Sequence, residues 1–317
     1  MMKAMVAALC LAALCGAADA EDFPRQPVQI IVPNAAGGPS DLVARKLASH
    51  LSSKWGQAVT VVNRPGGNGM VGTAALARAK PDGHTLMLGV PSLTTLKVLL
   101  KNPTVDTERD ITPISQILEG PYVVTVHPSL PIKTLQELVQ YAKARPGSLN
   151  YAGVAGGQIL AFELLMKKAG IDLLRIPYAG AAPSLPAIVK GEVQVGFNTI
   201  STVNSLLADD SLRALAVTST TRVATLPNVP TVQEAGIEGY SVGFWFGLVG
   251  PAQVPAATQE RIAQEVATFV KLPETIQDFN HLGYLPVGSS PRQFSQLIKS
   301  EIATWAEVAK YANVAAE

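Results

Sequence analysis

Short apolar runs recur along this chain, most followed by a Gly, Pro or Asn junction and then a stretch with helical period. That alternation limits the fold more than any other feature. Residues 28–32 form a β-branched run that reads as a buried strand. The junction Pro33-Asn34-Ala35-Ala36-Gly37-Gly38-Pro39-Ser40 follows, and then Val43, Leu47, Leu51 and Trp55 recur every four residues, the spacing of an amphipathic helix. Further strands are expected at 59–62, 85–88, 149–152, 174–176, 193–197 and 214–217. Helices are expected after Thr134, which forms a capping box with Glu137, over 161–169 up to Gly170, and after Ser290-Pro291.

Strand–helix units with short connections imply parallel sheets wound by right-handed crossovers. A chain of 317 residues exceeds one comfortable core, so two α/β lobes are expected. The extended run 111–127, with Gly120-Pro121 inside it, and the Gly-rich run 240–250 mark two crossings between them. Lobe 1 is then discontinuous, residues 21–122 and 244–317, lobe 2 is 123–243, and a cleft lies between. No tandem repeat or low-complexity tract appears.

Lys3, the apolar run 4–14 and Ala18-Asp19-Ala20 have the build of a secretory signal peptide over residues 1–20. Both cysteines, Cys10 and Cys15, fall inside it, so the mature chain is expected to carry no disulfide, Cys-bound metal or thiol nucleophile. Leu14 fits poorly the small residue that a lipidated Cys15 would need before it. Removing Lys3 and Asp19 leaves the formal net charge at +1, which argues against a nucleic-acid or anionic-membrane binder. A soluble exported, periplasmic protein is expected.

Three glycine-bearing junctions follow strands: residues 36–40, 153–157 and 178–182. Gly lets backbone N–H groups turn toward a ligand, and a helix start adds partial positive charge. Such junctions also serve as plain connectors in any α/β protein. Three at one sheet edge favour a site, because ligands of open α/β sheets lie at the carboxyl ends of strands. No Lys or Arg stands between Pro33 and Asp41, which suits a small carboxylate better than a phosphate. Asp41 either complements the helix dipole or receives an ammonium or hydroxyl of the ligand.

Gly67-Asn68-Gly69-Met70-Val71-Gly72 matches the dinucleotide fingerprint, yet Arg64-Pro65 interrupts the passage from strand to loop and no acidic residue follows the next strand. The four histidines, His50, His84, His127 and His281, show no metal-binding spacing, and there is no Gly-x-Ser-x-Gly elbow. Asp209-Asp210 reads as solvated surface. Trp245, between Phe244 and Phe246, reads as core or hinge packing in preference to a stacking platform. No cofactor, metal or catalytic residue is expected.

The chain resembles the Bug or TctC-like periplasmic solute-binding proteins of tripartite tricarboxylate transporters. The resemblance rests on Ile31-Val32-Pro33 with Ala36-Gly37-Gly38 and Asp41, on Val62-Asn63-Arg64-Pro65-Gly66 with Gly69 and Gly72, and on Pro81-Asp82-Gly83-His84-Thr85-Leu86. It continues through Pro146-Gly147-Ser148-Leu149-Asn150-Tyr151, Ile176-Pro177-Tyr178-Ala179-Gly180, Leu212-Arg213-Ala214-Leu215-Ala216-Val217-Thr218 and Pro227-Asn228-Val229-Pro230-Thr231. It implies a type II periplasmic binding fold in which two α/β lobes close on a small carboxylate. Carried over by position, it points to Ala36, Gly37, Gly38, Ser40 and Asp41, with Ser92 and Thr94 nearby. The opposite wall would hold Gly153, Ala155, Gly156, Gly157, Tyr178, Gly180 and Asn198.

Two departures stand out. Asn34 takes a place where the family often has an aromatic. The loop after Tyr151 is shorter than usual, with Ile159 where a His often stands, which implies a less polar second wall. The expected function is capture of a dicarboxylate, amino acid or aromatic acid by hinge closure and its transfer to membrane permease subunits, by a monomer with no nucleic-acid partner. A ligand-sensing partner of a two-component receptor and an exported enzyme are the alternatives.

Overall fold

The computed structural model describes residues 23–154, 157–178 and 181–312. The first stretch holds β1 (Val28–Val32), α1 (Pro39–Trp55), β2 (Val59–Asn63), a 3₁₀ turn (Gly67–Gly69), α2 (Met70–Ala77), β3 (Thr85–Gly89), α3 (Ser92–Leu99), α4 (Thr107–Asp110) and β4 (Ile111–Val126). Then come α5 (Leu135–Ala144), β5 (Asn150–Val154), α6 (Gly157–Ala169), β6 (Leu174–Tyr178), α7 (Ala181–Val189), β7 (Val195–Thr199), α8 (Ile200–Ala208) and β8 (Arg213–Val217). The chain closes with β9 (Gly243–Pro251), α9 (Ala256–Phe269), α10 (Pro273–His281), β10 (Leu285–Pro286) and α11 (Pro291–Ala309).

The strands follow the order β2-β1-β3-β9-β4-β7-β5-β6, and β8 and β10 also pair with β4. β1 is parallel to β2 and β3, and β5 is parallel to β6 and β7, as the strand–helix alternation predicts. The sheet as a whole is mixed, which that expectation missed. β9 is antiparallel to β3 and β4, and β4 is antiparallel to β7 and β8. β4 pairs with two neighbours in turn: Ile111 to Pro121 pair with β9, and Tyr122 to Val126 pair with β7. Proline has no N–H to give a ladder, and the β9 register ends at Pro121, opposite Gly243. β4 leaves one half of the sheet where β9 returns to it, so the two crossings run in opposite directions.

Why β1 and β3 read as unbroken apolar runs is visible in the packing. Ile30, Val32, Leu86 and Leu88 join the cluster of Val43, Leu47 and Leu51 on α1. Their neighbours Ile31 and Met87 join Leu76 of α2, Leu96 of α3 and Phe294 of α11 on the opposite face. Successive side chains of a strand alternate sides, so a strand covered by helices on both faces is apolar throughout. The same holds for β4 and β5: Val124 and Tyr151 belong to the first cluster, Val123 and Ala152 to a third with Ile188 and Val203.

Helix ends follow local chemistry. Gly56 takes φ 64° after α1 and its N–H bonds Ser52 O. Thr134 caps α5 by accepting from the Glu137 N–H, and Ser290 with Gln293 forms a full capping box on α11.

Candidate functional site

The carboxyl ends of β1 and β3 open onto a cleft of about 860 Å³ that also reaches β4, α6, α8 and β9. One wall comes from the β1–α1 junction, Pro33 through Ser40, with Gly66, Asn68, Gly69 and Ser92. Gly157, Gln158 and Thr199 form the facing wall, and Tyr122, Phe244, Phe246 and Tyr284 complete the lining. No Asp, Glu, Lys, Arg or His is among these described lining residues.

Helix starts supply the site's electrostatics. Gly38 is the N-cap of α1 and has no side chain to satisfy its first-turn amides. Pro91 before α3 and Thr199 before α8 make no side-chain cap either. The N-terminal residues of α1, α3 and α6 and the residue before α8 all border the cleft. Unpaired first-turn N–H groups and the aligned peptide dipoles give each helix start roughly half a positive charge. Helix starts of this kind favour an anion without any formal cation.

Gly37 is the residue that lets the β1–α1 junction turn. Its φ is +82°, and a Cβ there would meet nothing within 4 Å, so the constraint is backbone conformation and not space. Its N–H does not face the cleft unpaired, as the glycine-loop reading expects. It donates to Asp41 Oδ2 at 2.9 Å. Asp41 also accepts from Arg45 Nε at 3.0 Å and from Asn63 Nδ2 at 3.0 Å, and it is buried. The Arg45 guanidinium, with the Gly37 and Asn63 hydrogen bonds, holds the Asp41 carboxyl down at about 2, against the pull of burial. Asp41 therefore braces the junction from behind, and Arg45 offsets its charge.

Of the residues expected at the site, Ala36, Gly37, Gly38, Ser40, Ser92 and Gly157 line the cleft. Thr94 is buried behind Ser92, its Oγ1 lying 2.9 Å from both Pro91 O and Glu301 Oε2. Asn198 is buried and donates to Thr125 Oγ1 at 3.1 Å. Gly153 lies within β5, where a Cβ would come 2.5 Å from Arg175 Cγ, and Tyr178 ends β6. Neither is among the lining residues. Ala155, Gly156 and Gly180 lie outside the described residues.

Several lining residues carry no local motif. Tyr122 and Thr199 reach the cleft because β4 and β7 pair there in register, Tyr122 opposite Thr199. Tyr284 comes from the turn after α10 and Gln158 from the first turn of α6, where its Nε2 donates to Phe197 O. The 67–72 glycine motif does have a signal and a structural use. A Cβ on Gly72 would lie 3.0 Å from Pro33 Cβ and 3.2 Å from Arg64 O, so its absence lets α2 pack directly on the β1 exit. Trp245 turns away from the cleft, donating Nε1 to Glu301 Oε2 at 3.0 Å and meeting Phe294 edge-on at 5.1 Å.

A smaller cavity of about 310 Å³ lies by Gly120 and Gly243, lined by Glu119, Glu301, Trp305 and several hydroxyls. Burial raises the Glu301 carboxyl above its ordinary range. With two acidic side chains and no Lys, Arg or His among its described lining residues, this cavity is a poor host for an anion.

Mixed-sheet halves joined by crossing strands, with strand-end loops around a cleft, define a periplasmic-type solute-binding protein. The family model described as "Tripartite tricarboxylate transporter family receptor" (TctC) matches residues 43–314, and the chain belongs to that family. It is a family of solute-binding receptors and not of enzymes. The protein BugT of Bordetella pertussis is 31% identical over 303 residues, covering 94% of this chain and 93% of its own. A solved R. palustris protein, Rpa4515 with adipate, is 31% identical with a TM-score of 0.80, covering 93% of this chain and all of that one. MatC of Rhodopseudomonas palustris with bound malate is 28% identical with a TM-score of 0.75, covering 90% of this chain and all of that one.

Proposed function

We propose that this receptor captures a small carboxylate in the periplasm and hands it to the permease subunits of a tripartite transporter. Residues 1–20 direct export, and lobes 21–122 with 244–317 and 123–243 close on the ligand about β4 and β9. One observation carries the reading: helix starts from several elements border one cleft that has no charged side chain among its described lining residues. Neutral amides and partial dipole charge hold a carboxylate without burying a full counter-ion, whose desolvation would oppose binding. Adipate in one relative and malate in another support the ligand class.

The carboxylate contacts are assigned to the Ala36–Ser40 stretch and Ser92 on one wall and to Gly157 on the other. Ala155, Gly156 and Gly180 would extend the second wall, with Asp41, Thr94, Gly153, Tyr178 and Asn198 supporting from behind. Titration calorimetry and thermal shift with mono-, di- and tricarboxylates and amino acids test the assignment. A true ligand at about 100 times its Kd stabilises the fold by about 2.7 kcal/mol. Flat responses to every carboxylate refute it.

A further inference from the structure

The cavity beside Gly120 and Gly243 gathers polar atoms that the ligand cleft does not use. Leu297, Ser300, Glu301 and Thr304 of α11 line it, and their spacing of three and four residues puts them on one helix face. Glu119 of β4 comes from the same proposed lobe, and Ser219, Thr220 and Ser241 come from the other. The volume of about 310 Å³ has room for a small molecule and not only for a bare ion, since a water takes about 30 Å³ of liquid.

The lining offers acceptors more than donors. Ser219 Oγ donates its proton to Thr221 O at 2.7 Å, Ser300 Oγ to Leu297 O at 2.8 Å and Thr304 Oγ1 to Ser300 O at 2.9 Å. A hydroxyl has one proton and two lone pairs, so these three can only accept from an occupant. Trp245 Nε1 and Thr94 Oγ1 both sit on Glu301 Oε2, at 3.0 and 2.9 Å, and Oε1 has no hydrogen bond among the described residues. No Lys, Arg or His is among the described lining residues to balance Glu119 and Glu301. One donor stands apart. Trp305 is 4% exposed and lies beside Glu301, yet its Nε1 meets no acceptor in hydrogen-bonding geometry. A buried N–H without an acceptor is costly, and this one calls for an oxygen in the cavity. We propose that the cavity is a second binding site, for a small organic ammonium that carries a hydroxyl. The ammonium donates to Glu301 Oε1, Glu119 and the hydroxyl oxygens, and the Trp305 N–H donates to the ligand's oxygen. Burial holds the Glu301 carboxyl toward its neutral form, and an ammonium beside it favours the ionised form. Because both proposed lobes line the cavity, its occupant ties them together beside the crossing strands.

This site stands independently of the carboxylate-receptor reading. Calorimetry on the mature protein, in an amine-free buffer, uses ethanolamine, which supplies both groups. Ethylene glycol is its neutral counterpart of the same size, and potassium chloride is the bare cation. The expected result is saturable binding of ethanolamine, about tenfold or more tighter than either control, the scale of one charge-assisted hydrogen bond. Glu301→Gln keeps the shape of the side chain and removes its charge. Checked for folding by circular dichroism, it is expected to weaken ethanolamine about tenfold and leave ethylene glycol unchanged. Glu119→Gln, at an exposed position, serves as the second variant should Glu301→Gln not fold. Ethylene glycol or potassium binding as tightly as ethanolamine, no saturable binding of ethanolamine, or an unchanged Kd in the folded variant overturns the site. Carboxylate titrations on the same sample decide the receptor reading separately.

Discussion

Asp41 places a negative charge beside a cleft built for anions, and its partners explain how that arrangement is stable. Its oxygens are held by the Gly37 amide, the Asn63 amide and the Arg45 guanidinium, so the local pair is neutral. A carboxyl held at about 2 in the folded chain binds its proton less readily than in the unfolded chain, whose value is near 3.8. Its contribution to stability is therefore complete above about pH 4 and is lost as pH falls through 2. Urea unfolding from pH 6 to pH 2 is expected to show that loss in the wild type and a smaller acid-side slope in Asp41→Asn. At neutral pH, Asp41→Ala is expected to cost about 1–3 kcal/mol, the scale of a buried polar network losing one partner. At this scale the sequence shows that Asp41 begins a helix. Which atoms it holds depends on Asn63, a residue from another strand.

Among the elements, α2 depends on its glycines for position more than for flexibility. A Cβ added at Gly72 would lie 3.1 Å from Pro33 Cα and 3.2 Å from Arg64 O, and both are backbone atoms that cannot rotate away. Gly72→Ala is expected to destabilise the protein by about 1–3 kcal/mol, the usual penalty for overpacking. It also pushes on the β1 exit that forms the first cleft wall, so carboxylate affinity falls with the melting temperature in calorimetry and differential scanning. The C-terminal helix gives a local contrast. Ser290→Ala removes a cap at the far end of α11 from Glu301 and is expected to lower stability by about 1 kcal/mol with ligand affinity unchanged.

At the scale of the whole molecule, β4 and β9 pair where the proposed lobes meet, Pro121 opposite Gly243. A Cβ on Gly243 would lie 2.6 Å from Gly120 O, closer than backbone atoms allow. Gly157 on the second wall stands near Pro91 and Thr95 on the first, 3.4 Å from Thr95 Cγ2 for an added Cβ, so the walls nearly touch at one edge. Ligand is expected to reduce the radius of gyration in small-angle scattering as the lobes close. Gly243→Ala spreads the crossing strands, and the variant is expected to melt lower and show a smaller ligand-induced change. An unchanged radius in the wild type on saturation places the motion elsewhere.

The alternation of apolar strands with helical periods carried the α/β class, and the caps Thr134 and Ser290 were legible because each acts on its own helix end. The glycine junction 36–40 was legible as a cleft wall for the same reason, since a strand exit and a helix start are adjacent in the chain. The rest of the lining was harder to read. Tyr122, Thr199, Phe246 and Tyr284 meet only when β4, β7, β9 and the turn after α10 come together, and no spacing along one strand encodes that meeting. The bond from Asn63 to Asp41 and the antiparallel return of β9 were also decided in three dimensions. Local sequence determines which backbone each segment adopts, because capping, period and φ depend on near neighbours. Tertiary structure alone decides which of those segments share a cleft, because register between distant strands is set by the packing of the whole core.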